Sequence, residues 1–175
     1  MPPRSPRRTA MSIQGTGTRD HSNALELRRS FRISATKLWR YLVDSDYLDQ
    51  WFGAWQGDPE SRRVQVTLSA EEGSPTESVE ILDCDQRALL LEVRTGQGSE
   101  SWQLELHIET RDEGSELVFR MPGLDPQMAS SVGPGWEFYL DRLVAAVNGK
   151  DAGLVVFEPD YYPGLSEYYK ALFNS

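Results

Sequence analysis

The sequence predicts an α+β domain in which a curved antiparallel sheet of about six strands is covered on one face by a single long helix. Three observations carry that expectation. Residues 62–121 alternate apolar and polar side chains in successive short runs separated by turn residues. Residues 136–147 place apolar side chains at helical spacing. A first strand and two short helical segments precede both.

"ALELRRSFRI" (24–33) sets Leu25, Leu27, Phe31 and Ile33 on one face of a strand and Glu26, Arg28, Ser30 and Arg32 on the other. Arg29 breaks the pattern by falling on the apolar side. Ser34 offers an N-cap to "ATKLWRYLV", whose Leu38, Trp39 and Leu42 share a helical face. "SDYLDQWF" (45–52) reads as a second short helix closed by Gly53, with Leu48, Trp51 and Phe52 inward. The meander follows. Val64, Val66 and Leu68 alternate, then Val79 and Ile81, then Leu89, Leu91 and Val93. Trp102, Leu104, Leu106 and Ile108 continue the inner face, and Leu117, Phe119 and Met121 end it. After the Gly- and Pro-rich stretch 122–135, Trp136, Leu140, Leu143, Val144 and Val147 form an apolar helical stripe. Glu137, Asp141, Arg142 and Asn148 lie elsewhere on that helix, and Gly149 closes it.

The ends read differently. Residues 1–23 are rich in Pro, Ser, Gly, Thr and Arg and predict a disordered basic tail. Residues 24–149 form the domain. Residues 150–175 form a C-terminal extension with a short helix near 164–173, and they hold too many aromatics for a free tail. That extension is expected to dock on the domain or on a second subunit, as in a homodimer.

Charge narrows the partners. The chain carries 18 Lys+Arg against 27 Asp+Glu, a formal net charge of -9. The four arginines of residues 1–23 face Asp20 alone, a net of +3, which leaves -12 for the rest. An acidic body repels phosphate backbones, so no nucleic-acid partner is expected. Apolar runs fall short of the ~20 residues of a membrane span, and none follows the N-terminal arginines as a secretory signal requires. The lone Cys84 allows no intrachain disulfide and fits a reducing, cytoplasmic compartment; its strand-like surroundings predict a packed thiol. His21 and His107 make no cluster with Cys84 at metal-ligand spacing, so neither a metal nor a cofactor is expected. Asp44, Asp46 and Asp49 lack the glycine and terminal Glu of a calcium loop.

The chain from about 24 to 149 resembles the activator-of-heat-shock-protein-90-ATPase-homologue-like family, within the START-like helix-grip superfamily that includes polyketide cyclases. The resemblance rests on "RRSFRISATKLWRYLVDSDYLDQWFG", "GSELVFRMPGL" and "GWEFYLDRLVAAVNG". Arg29, Phe31, Ala35 and Trp39 match the start of the family pattern, Trp51 with Phe52 the end of its second helix, and Gly135-Trp136 the opening of its long helix. Met121 stands where many members carry a histidine.

The resemblance implies a helix-grip fold with a deep apolar cavity between sheet and long helix. It places Trp51 and Phe52 at the rim; Trp55, which lies past Gly53 in an expected loop, is read from that position as a candidate lid. Leu91, Trp102, Leu104, Phe119, Met121, Trp136, Tyr139 and Leu140 are candidates for its wall, and simple core packing is the competing reading for most of them. Arg29 has two readings. One is an anchor for a ligand's carboxylate or phosphate; the other is an internal ion pair holding the first strand. Catalytic residues are not expected, since no nucleophile lies near a base and only Arg29 and Tyr139 point inward among polar groups. Three functions follow as expectations: binding of a small hydrophobic or amphipathic ligand, regulation of a chaperone partner, and a cyclase- or dehydratase-like enzyme.

Overall fold

The computed structural model describes residues 13–96 and 101–174. Eight strands form one antiparallel sheet: β1 (Thr18–Arg19), β2 (Leu25–Phe31), β3 (Ala54–Gln56), β4 (Arg63–Thr67), β5 (Thr76–Asp85), β6 (Leu90–Thr95), β7 (Trp102–Arg111) and β8 (Gly114–Met121). Their spatial order is β1-β2-β8-β7-β6-β5-β4-β3. From β3 to β8 the chain meanders between neighbours, while β2 crosses to pair with β8 in the register Leu25↔Met121 to Phe31↔Ser115.

The count exceeds the expected six by two very short edge strands. β1 lies in the stretch read as a tail, where it pairs Thr18 with Glu26. Residues 1–12 of that stretch are outside the described residues. β3 lies just after Gly53 and pairs Trp55 with Val66. Trp55 therefore stands in a strand and not in a loop. Two or three residues are too few to show an alternation.

Among the described residues four α-helices complete the fold: α1 (Ala35–Val43), α2 (Ser45–Leu48), α3 (Ala129–Val147) and α4 (Ser166–Phe173). Ser34 caps α1 by accepting from the Lys37 amide at 3.2 Å. Asp44 ends α1 and caps α2, accepting from the Asp46 amide at 3.0 Å.

α2 is shorter than its sequence suggested. The Leu48 carbonyl accepts from the amides of Trp51, Phe52 and Gly53, which converts the rest of the segment into a turn. Gly53 is not a left-handed cap. A Cβ there would lie 2.1 Å from the Thr67 carbonyl oxygen, so glycine is required by the close approach of β4.

α3 begins seven residues before the expected start. Pro134 sits inside its second turn, where it removes one backbone hydrogen bond without ending the helix. Gly133 lies against the ring of Tyr169 on α4, which a Cβ would meet at 2.4 Å. One side of α3 rests on the sheet through Leu140 and Leu143, both fully buried. The other side is covered by the C-terminal extension, where Phe138 meets Phe157 and Tyr161 edge-to-face at 5.2 and 5.6 Å. The extension thus packs on its own domain, and Tyr161, Leu165, Tyr169 and Phe173 join the main core. Among the described residues no helix is long and apolar enough to cross a membrane.

Candidate functional site

The inward residues of β4 to β8 do not close fully on α3. Between them lies an apolar cavity of about 170 Å³. Its floor is the sheet: Val64 and Val66 on β4, Val79 and Ile81 on β5, Leu91 and Val93 on β6, Leu104 and Leu106 on β7, Phe119 on β8. Its far wall is Trp136 on α3, and its rim is Leu42 and Val43 of α1, Leu48 of α2, and Trp51, Phe52, Trp55 and Pro59 beyond them.

The aromatic part of the wall is continuous. Phe119 and Trp136 have centroids 4.7 Å apart; Trp136 stacks on Phe52 at 5.8 Å and 23°, and Phe52 meets Trp51 at 5.6 Å. Two of the rim indoles are pinned. Trp51 donates through Nε1 to the Tyr41 carbonyl at 2.9 Å, and Trp55 to the Val43 carbonyl at 3.0 Å. The Ser45 hydroxyl further holds the Trp55 backbone, donating to its carbonyl and accepting from its amide at 2.9 Å each. The C-terminal end of α1 and the first residue of α2 thereby set the position of the rim.

A β-bulge shapes the opposite side. The β5–β6 register shifts between Ile81 and Asp83, so that Cys84 pairs with Leu91 and joins the inner face. Cys84 lines the cavity yet is exposed, which places it at the open end. This corrects the expectation of a packed thiol: the bulge turns Cys84 to the inner face, but next to the end of β5, where the strand is exposed. Burial pushes its thiol pKa up, and Asp83 and Asp85 push the same way.

Seven of the twelve sequence-selected residues line this cavity: Trp51, Phe52, Trp55, Leu91, Leu104, Phe119 and Trp136. The other five lie elsewhere. Met121 and Leu140 are buried in the core, and Trp102 packs partly buried against it. Tyr139 presses its ring edge-to-face on Phe52 at 5.0 Å and donates its hydroxyl to Glu71 at 2.5 Å. Arg29 faces α3 on the side held by the chain termini. Its guanidinium donates to Glu137 at 2.8 Å, Asp141 at 3.0 Å, the Thr16 hydroxyl at 2.8 Å and the Arg28 carbonyl at 2.8 Å. Glu137, 1 % exposed, also accepts from the Thr16 amide at 2.7 Å and from the Thr16 hydroxyl. Asp141 accepts from the Tyr161 hydroxyl at 2.6 Å. This network ties β2, α3, the segment before β1 and the C-terminal extension together.

Sequence reasoning did not single out Val64, Val66, Val79, Ile81, Val93, Thr95 or Leu106 as wall residues. Their inward alternation was the available signal, and it does not distinguish a wall from a core.

A family model described as activator of Hsp90 ATPase homolog 1-like protein matches residues 32–148. The crystal structure of CalU16 from Micromonospora echinospora superposes with a TM-score of 0.69 at 20% identity, covering 91% of this chain and 95% of that one. Such coverage reaches beyond residues 24–149. DynU16, a protein in the dynemicin biosynthetic locus, gives a TM-score of 0.63 at 17% identity over 74% of this chain and 49% of its own. Protein MLL2253 from Mesorhizobium loti gives 0.62 at 14% identity over 73% of this chain and 98% of its own. At these identities the likeness is one of fold. Among curated proteins none matches.

Proposed function

The chain belongs to the activator of Hsp90 ATPase homolog 1-like family, and from that premise we propose that it binds a small apolar or amphipathic molecule between its sheet and its long helix. The observation that carries this reading is the cavity itself. It is walled by hydrocarbon and aromatic side chains, open at one end, and positioned by rigid elements. Trp51, Phe52, Trp55, Leu91, Leu104, Phe119 and Trp136 supply the contacts. Arg29 is left out as an anchor, because four of its donors are engaged by protein acceptors.

Thermal unfolding with small aromatic compounds tests the reading. A ligand of the native state raises the midpoint, and the shift grows with the logarithm of its concentration above Kd. Toluene, indole and benzyl alcohol should each raise it, and Val79→Phe, which fills the cavity, should abolish the shifts. Midpoints that stay fixed across all three compounds would sink the proposal.

A regulator of a chaperone is a second reading, favoured by the family description alone. The exposed Leu154 and Val156 of the extension would suit such a partner or a second copy. Stimulated ATP hydrolysis by a purified chaperone would support it. A cyclase-like enzyme has weaker support, because Cys84 is the only titratable side chain in the cavity wall among the described residues.

A further inference from the structure

Nearly every side chain in the cavity wall is hydrocarbon, so the few that are not decide what it prefers. Thr95 ends β6 facing inward, 8 % exposed, with Val79 on β5 and Trp102 on β7 as its cross-strand neighbours. Its hydroxyl has no hydrogen-bond partner among the described residues. It is not among the fully buried unpaired atoms, which are Ser166 Oγ and Tyr169 OH, so the hydroxyl reaches accessible space, where a ligand's oxygen can take the place of water. The wall holds three indoles, of which Trp51 and Trp55 spend their N–H groups on backbone carbonyls. The Trp136 N–H is without a partner among the described residues. Thr95 and Trp136 thus each bring an uncommitted hydrogen-bonding group to a wall whose other members, Cys84 apart, are hydrocarbon or have their N–H groups engaged. One only donates, and the other donates or accepts.

Size and charge narrow the occupant. A volume of about 170 Å³ is close to the roughly 150 Å³ of an apolar cavity that accepts benzene. One ring, or at most a compact bicycle such as indole, fits, and a larger fused polycycle does not. Among the described residues no Lys, Arg or His lines the cavity, while Asp83 and Asp85 flank Cys84 at its open end. A carboxylate would enter against like charge and find no counter-ion.

We infer that the cavity selects a neutral single-ring aromatic molecule bearing an oxygen substituent, a phenol or an aryl ketone, whose oxygen is met by Thr95. This rests on the reading that the cavity binds small apolar molecules, and it assigns that ligand a chemistry.

The test is an NMR titration of the full chain with toluene, p-cresol and p-toluate, three ligands of one shape. The Trp136 indole N–H and the Thr95 amide report on the cavity. p-Cresol is expected to bind at least as tightly as toluene, and p-toluate to leave both signals unmoved. Thr95→Val, which keeps the shape and removes the hydroxyl, should weaken p-cresol about ten-fold and leave toluene within about two-fold. Thr95→Ser should retain p-cresol. Toluene binding with p-cresol excluded, p-cresol affinity unchanged in Thr95→Val, or p-toluate binding as tightly as p-cresol would each overturn the inference while leaving apolar binding intact. Failure of both toluene and p-cresol to bind would overturn the underlying reading as well. The wild-type comparison decides even where the valine variant does not fold, because a purely apolar cavity prefers toluene on solvation grounds alone.

Discussion

Arg29 on β2 and Glu137 on α3 form an ion pair of 2.8 Å whose side chains are 11% and 1% exposed. Breaking a buried pair leaves an uncompensated charge and typically costs about 3–5 kcal/mol, whereas replacing both partners by apolar groups is often near neutral. Arg29→Met is therefore expected to destabilise the protein by about 3 kcal/mol in urea unfolding. Arg29→Met with Glu137→Met should recover part of that loss. Toluene affinity should be unchanged in both, since neither residue lines the cavity. A specific loss of ligand binding in a folded Arg29→Met variant would restore the anchor reading.

Gly53 supports the rim from behind. A Cβ there would lie 2.1 Å from the carbonyl oxygen and 2.9 Å from the carbonyl carbon of Thr67, and backbone of a paired strand does not yield cheaply. Gly53→Ala should cost about 2 kcal/mol or more and displace Trp51 and Phe52, weakening ligand binding. Gly135→Ala is the control. It meets nothing within 4 Å, lies within α3, and should stabilise by about 0.5–1 kcal/mol. Equal effects in the two variants would show that the contact with Thr67 is unimportant.

The strands from β4 to β8 were legible because each has one face inward and one outward, which writes a period of two into the sequence. β1 and β3 were not, since they are held by their neighbours' edges and carry too few residues for a pattern. The start of α3 was hidden by Gly133-Pro134-Gly135, a run that reads as a breaker until Tyr169 is seen to need the space above Gly133. Glu137 was placed apart from the apolar stripe because a helix on a sheet has one wet side. Here the C-terminal extension and the segment before β1 cover that side too, and Glu137 is buried with Arg29 and Thr16 around it. Only seven of the nineteen residues of the cavity wall were legible, for a related reason. Bulky aromatics attract notice, while Val64, Val79 and Val93 look like ordinary core, and only the distance between two layers makes them a wall.

Asp20 fixes the turn between β1 and β2. It accepts from the Ser22 amide at 2.8 Å, the Ser22 hydroxyl at 2.6 Å, the Ala24 amide at 3.0 Å and the Arg120 guanidinium at 2.7 Å. The Ser22 hydroxyl and then Arg120 hold its carboxyl well below the usual carboxylate range. A depressed folded-state pKa stabilises above the unfolded value of about 4 and is lost as pH falls toward the folded one. The melting temperature of the wild type should therefore exceed that of Asp20→Asn by a constant margin from neutral pH to about pH 5. Below about pH 4 the two curves should converge. A margin undiminished at pH 3 relative to neutral pH, or wider there, would contradict the assignment.

Cys84 offers a direct probe of the open end of the cavity, because the bulge in β5 brings an exposed thiol to the inner face. Alkylation proceeds through the thiolate, so a raised pKa slows it at neutral pH. Burial raises this thiol first, with Asp83 and Asp85 adding to it. Iodoacetamide labelling should therefore show its inflection at a higher pH than a free cysteine peptide. Asp83→Asn with Asp85→Asn should move the inflection part of the way down and leave the contribution of burial. Toluene at saturation should slow the reaction at every pH, since it occupies the space beside the thiol. An inflection at or below that of the peptide would remove burial as the cause, and a rate indifferent to toluene would place the thiol outside the occupied part of the cavity.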